Sequence, residues 1–174
     1  MEIDQVKGEE FDEIVLGYGL CSNGIVGICA RRHPLIVPRI HDCISLFLGS
    51  HGSYEDQAKK EPGTYYLTPG WIEKGETPLS KYESYARSYG EETAKWVLHE
   101  EMKNYTRILL INTGVYEIDR YREIARQNAE FLGISCQEVK GSPVLFRALV
   151  RGPREKDFLH IERGHTIQQA MFLD

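Results

Sequence analysis

His41 and Cys43, two residues apart, are the pair with the most evident chemical use in this 174-residue chain. In extended backbone, side chains at i and i+2 project to the same side, so an imidazole and a thiolate can grip one metal ion. Cys21, at the end of the preceding apolar run, can supply a third ligand. A Cys/His/Cys set leaves a tetrahedral ion, zinc or iron, with an open fourth position for water or substrate, as in catalytic rather than structural zinc sites. Cys43 also precedes a short predicted helix, whose dipole favours the thiolate a metal requires. Two thiolates and a neutral imidazole leave zinc formally uncharged, which suits activation of a substrate thiol, and methyl transfer to it, better than hydrolysis. Tyr18, Asn23 and Asp42 would orient the ligands, and Trp71 would help close the pocket.

Two other readings use the same residues. Gly17-x-Gly19-x-x-Ser22 follows an apolar run and precedes a predicted helix, close to the dinucleotide fingerprint with Ser at the third glycine. Asp42 then stands where a ribose-binding acid is expected. On that reading Gly17, Tyr18, Gly19, Asn23, Asp42 and Trp71 bind a cofactor or other small molecule, without catalysis. A further reading makes Cys21 or Cys43 a nucleophile, with Cys21 and His41 as the thiol–base pair. The remaining candidates have plainer roles. Cys29 packs among Ile25, Val26 and Ile28, Cys136 opens a strand, and His33 and His99 lie on solvated faces. His51 can swing toward the site, and His165, beyond Gly164, is an outside candidate for a fourth ligand. Arg39 is placed to balance thiolates or an anionic substrate. Tyr65, Tyr66 and Trp71 line a flat ligand's pocket or belong to the core.

The elements that must position these residues are visible as alternation. Apolar runs at 13–18, 35–40, 64–68, 107–112, 136–139 and 158–161 predict strands; Pro38 within the second argues for an edge position or a bulge. Helices are predicted over 25–32, from Asp42 to Leu48, from Thr77-Pro78 to about 104 with a break at Gly90, over 116–132 with a stop at Gly133, and over 143–150. Such alternation implies a layered α/β domain with a mainly parallel, Rossmann-like sheet. The whole of 1–174 reads as a single domain behind a polar segment, 1–12. Ligands of parallel sheets bind beyond the carboxyl ends of the strands. That edge receives Tyr18, Cys21, Ser22 and Asn23 from the first strand and His41, Asp42 and Cys43 from the second. Thr68, Pro69 and Trp71 follow the third, and Asn112 and Thr113 the fourth.

Composition narrows the setting. Apolar residues make up 41% and charged residues 27%, with 21 basic against 26 acidic side chains and a net charge of -5. The balance argues against a nucleic-acid partner, which needs a concentrated positive field. No apolar run is long enough for a membrane span, and the start, MEIDQVKGEEFDE, resembles no signal peptide, so a cytoplasmic protein is expected. Four scattered cysteines do not make a disulfide framework in that compartment.

Three segments, FDEIVLGYGLCSNGIVGI at 11–28, IVPRIHDCISLFLGS at 36–50 and PGTYYLTPGWIE at 62–73, together resemble the DUF1638 family, proteins of anaerobic bacteria and archaea. Gly17–Cys21 and His41–Cys43 match the family's Gly-Tyr-Gly-Leu-Cys and His-Asp-Cys segments. The resemblance implies a setting near corrinoid-dependent methyltransferase systems, hence one-carbon metabolism, with a small-molecule ligand or thiol as partner. By analogy, the His-x-Cys with a distant Cys also looks like the zinc site of thiol-activating methyltransferases, whose fold and cysteine order differ. Family members carry roughly another strand and helix before the segment equivalent to Phe11–Cys21. The chain is therefore expected to be a short form, or to start downstream, with an open sheet edge suited to a homo-oligomer.

Overall fold

The computed structural model describes residues 11–152 and 156–173, so most of the polar segment 1–12 lies outside the described residues. In chain order the elements are β1 (Ile14–Val15), β2 (Leu35–Pro38), α1 (Ile44–Leu48), α2 (His51–Lys60), β3 (Thr64–Leu67), α3 (Pro69–Lys74) and α4 (Pro78–Tyr89). There follow α5 (Glu91–Met102), β4 (Arg107–Asn112), α6 (Asp119–Leu132), β5 (Ser135–Lys140), α7 (Val144–Arg151), β6 (Phe158–Ile161) and a 3-10 turn at Gln169–Phe172. They form two units, one built from residues up to Gly52 and from Pro143 onward, the other Ser53–Ser142. Among the described residues no helix is long and apolar enough to cross a membrane.

The first unit carries a sheet of order β1-β2-β6. β1 runs parallel to β2, with Ile14 opposite Leu35, as the strand-end argument requires. β6 is antiparallel to β2, with Leu35 opposite Ile161, so this sheet is mixed rather than parallel. A four-residue apolar run buries the same side chains in either direction, so its pattern carries no polarity. Pro38 is also not on an edge strand, since β2 is central. It is tolerated because β1 pairing stops at Val15 opposite Ile36, two residues short of Pro38. Leu20, Ile25, Leu35, Val37, Ile161, Ile167 and Phe172 make the core, so the chain's tail packs beside its beginning. α1 and α7 meet through Ile40, Leu46 and Leu145, with Phe47 and Phe146 edge-to-face at 5.0 Å.

The helix expected over 25–32 is absent. Residues 21–27 form consecutive turns, and the following backbone bonds outward to the tail: Gly27 N–H to Ile167 O at 3.0 Å, Ala30 N–H to His165 O at 2.8 Å. Cys29 pairs with Thr166 in an isolated bridge instead of packing inside a helix. Gly27, at φ 89°, takes a conformation that no right-handed helix contains.

The second unit holds an all-parallel sheet, β3-β4-β5. β4 is its centre, buried from Arg107 through Ile111, as an apolar run flanked on both faces must be. A capping box between Thr77 and Ser80, with Pro78 in the first turn, starts α4. Gly90 at φ 82° separates α4 from α5, and Gly133 at φ 68° ends α6. α6 lays Tyr121, Ala125 and Ala129 on Leu67, Ile108 and Leu110.

Candidate functional site

The site is built from the two chain segments that leave the parallel pair β1 and β2. Leu20 N–H donates to Ile40 O at 2.9 Å and Cys21 N–H to His41 O at 3.0 Å, so the Gly17–Cys21 segment is stitched alongside the one that ends at Cys43. A Cβ on Gly19 would stand 2.6 Å from Ile40 Cγ1 and 2.8 Å from Ile40 O, so only glycine lets the segments lie this close. Cys21, Ser22 and Asn23 then take φ values of 42°, 56° and 68° in succession. L-residues pay roughly 1–2 kcal/mol each for a left-handed conformation. Gly24 N–H closes the turn onto Leu20 O at 2.9 Å. A chain that adopts three such residues in a row is held there by its surroundings, a pattern that clusters at functional sites.

This turn brings the Cys21 thiol to Cys43. The Cys43 thiol is pushed up to about 11 by partial withdrawal of its sulfur from water, although the residue as a whole is exposed, then by the nearby Asp42 carboxylate and Cys21 thiol. The expected lowering by a helix dipole is overridden: α1 is five residues long, too short for a strong dipole, and the nearest charge is negative. Asp42 does not cap α1 as expected: the N-cap is Cys43, with no side-chain cap bond, and Asp42 Oδ1 instead accepts from Ile44 N–H at 2.8 Å in an Asx turn just ahead of the helix.

His41 is oriented from the far end of the chain. Its Nε2 lies 2.8 Å from Phe172 O. A carbonyl only accepts, so Nε2 carries the proton and a neutral ring keeps its lone pair on Nδ1. The His51 ring lies 5.0 Å from that of His41. Among the described residues, no three His, Cys, Asp or Glu side chains form a ready-made metal cluster. Of the three expected ligands, Cys21 and Cys43 meet, while His41 is engaged through Nε2 with the tail.

The other sequence candidates are distributed as follows. Gly17 and Tyr18 are exposed on the segment between β1 and the turn, with the Tyr18 ring beside Gly24. Asn23 is exposed on the turn itself. Trp71 belongs to the second unit, in the first turn of α3, with its indole N–H donated to Glu76 O at 3.3 Å. Arg39 Nη2 donates to Leu173 O at 2.8 Å. His165 is exposed in the tail, and Cys136 is exposed on β5. His51 lies beside His41, on the side of the site toward which its position after Gly49 allowed it to swing, whereas the contribution of Phe172 was not anticipated. Phe172 lies 131 residues from His41, and no local pattern announces such a pairing.

Fold and site together define an α/β protein in which the segments leaving two parallel strands run side by side, one carrying Cys21 on a left-handed turn and the other His41 and Cys43. The chain belongs to DUF1638, a family of proteins of unknown function, whose model matches residues 1–150. No curated protein and no solved structure matches it.

Proposed function

We propose that this Rossmann-like, cytoplasmic protein binds one zinc or iron ion through Cys21, His41 and Cys43 and serves thiol or methyl-group chemistry in a corrinoid-linked, one-carbon setting of an anaerobe. The observation that carries the reading is the stitching of the Cys21 segment beside the Cys43 segment, with Cys21 N–H donated to His41 O at 3.0 Å and Cys21 opening a turn of left-handed residues. Two thiols beside a carboxylate form an electron-rich pocket, and a divalent cation both displaces the thiol protons and relieves the repulsion. His41 fits the same purpose. Metal-bound histidines usually donate their second N–H to a carbonyl or carboxylate, and Nε2 facing Phe172 O leaves Nδ1 for the ion. A bound ion would supply Lewis acidity toward a substrate thiol. Asp42 keeps the Cys43 segment in place through Ile44, and Tyr18 and Asn23 are exposed on the segment and turn that carry Cys21, available to a ligand.

The dinucleotide reading has less support. Residues 21–27 offer no helix N-terminus to a pyrophosphate, and Gly19 is accounted for by its contact with Ile40. Elemental analysis of anaerobically purified protein tests the metal reading. About one equivalent of zinc or iron per chain is expected, the stoichiometry of a single tetrahedral site. Cys43→Ser should lower the content severalfold while the circular dichroism spectrum is kept, and Cys29→Ser should change neither. Wild-type protein free of both metals, or Cys43→Ser with a full complement, would make a metal-free ligand-binding protein the better reading.

A further inference from the structure

The second unit has strand ends of its own. β3, β4 and β5 are parallel, so their carboxyl ends share one edge, where open α/β sheets take their ligands. Beyond β4 and β5 lies a cleft of about 400 Å³ lined by Asn112, Thr113, Gly114, Glu138, Lys140 and Gly141, a size within the range of small-molecule sites. Every lining residue is polar or glycine, which selects against an apolar ligand.

Two of these residues have groups that the fold leaves unused. Thr113 Oγ1 is buried without a hydrogen-bond partner, a situation that costs about 1–3 kcal/mol. Lys140, exposed at the end of β5, makes no ion pair among the described residues. The one carboxylate in the lining is already balanced. Glu138 accepts from Arg122 Nε at 2.6 Å, from Arg122 Nη2 at 3.0 Å and from Asn112 Nδ2 at 2.9 Å, which leaves Lys140 as the uncompensated charge. The backbone is folded tightly around the cleft. Gly114, at φ 73°, donates to Asn112 Oδ1 at 2.9 Å, and Gly141 donates to Asn112 O at 2.8 Å.

We propose that this cleft binds the oxyanion group of a small polar ligand, with the Lys140 ammonium as counter-charge and the Thr113 hydroxyl as hydrogen-bond donor. An ammonium is a point charge without the planar fork of a guanidinium, so phosphate and carboxylate are both chemically suited. Titration of the full-length protein with inorganic phosphate and, separately, acetate, at constant ionic strength and followed by amide ¹H–¹⁵N spectra, tests the site. Saturable shifts centred on Thr113, Gly114, Lys140 and Gly141 are expected with at least one anion. A response to phosphate alone identifies a phosphorylated ligand, to acetate alone a carboxylic acid, and to both a site for either oxyanion. Lys140→Gln and Thr113→Val should each weaken the response about tenfold, as loss of one charge-assisted or otherwise unmade hydrogen bond implies. Non-saturating shifts, shifts spread over the surface, or an undiminished response in Lys140→Gln would overturn the proposal. Cys43→Ser should leave the titration unchanged, so this site and the metal site can fail separately.

Discussion

In the metal-free protein, Cys43 keeps its proton at pH values where an ordinary thiol would begin to lose it. Its environment lifts it from 9.0 to about 11, with burial first among the causes and Asp42 next. Asp42→Asn removes the carboxylate but retains a side-chain oxygen that accepts from Ile44 N–H in the same turn, so α1 should start unchanged. In metal-free protein kept with a chelator, the apparent pKa of Cys43 alkylation by iodoacetamide, resolved by mass spectrometry, should fall toward 9 without reaching it, because the effect of burial remains. An unchanged profile would show that Asp42 does not act on the sulfur. The same shift links to stability. Between pH 9 and 11 the unfolded chain releases the thiol proton while the folded chain retains it, so stability falls as pH rises through that window. The slope there should be shallower in Asp42→Asn.

At the scale of the element, the turn at 21–24 sets two demands that substitutions can separate. Gly19→Ala pushes a methyl group into Ile40, whose backbone oxygen cannot move aside, and should cost about 1–3 kcal/mol as overpacking does. Ser22→Gly removes a Cβ from a residue at φ 56° and should stabilise by about 0.5–1 kcal/mol after the extra chain entropy of glycine is deducted. Urea midpoints measure both, and a destabilised Ser22→Gly would mean that the serine hydroxyl makes a contact worth more than the strain. This turn was also the least legible element in the sequence. Ile25, Val26 and Ile28 have helical spacing, and a left-handed run written in Cys, Ser and Asn carries no glycine to advertise it. α2 escaped notice for a different reason: it buries none of its residues and so has no apolar stripe. α4, α5 and α6 were legible because Thr77-Pro78, Gly90 and Gly133 mark their ends. The side-by-side course of the segments carrying Cys21 and Cys43 was legible from parallel neighbouring strands. The Phe172 carbonyl was not, since it depends on where the tail packs.

At the scale of the whole molecule, the two units differ in how they use the chain. Ser53–Ser142 is continuous, and its parallel sheet and helices follow one another in sequence. The unit with the thiols is discontinuous. β2 needs β6 as its antiparallel neighbour, and its core needs Ile161, Ile167 and Phe172. A chain cut after Ser142 therefore loses one side of the β2 ladder, α7 against α1, and the carbonyl that orients His41. Loss of this many large buried side chains exceeds the 5–15 kcal/mol by which a typical domain is stable. The truncated chain should retain the helical signal of α4, α5 and α6 and a cooperative melt, because Leu67, Ile108, Tyr121 and their neighbours are all still present. Cys21 and Cys43 should become as reactive toward iodoacetamide as thiols in an unfolded peptide, whereas the reactivity of Cys136, on β5, should stay as in the full chain. If Cys43 in the truncated chain remains protected, the first unit folds without its tail, and the turn at Cys21 is held by residues 11–52 alone.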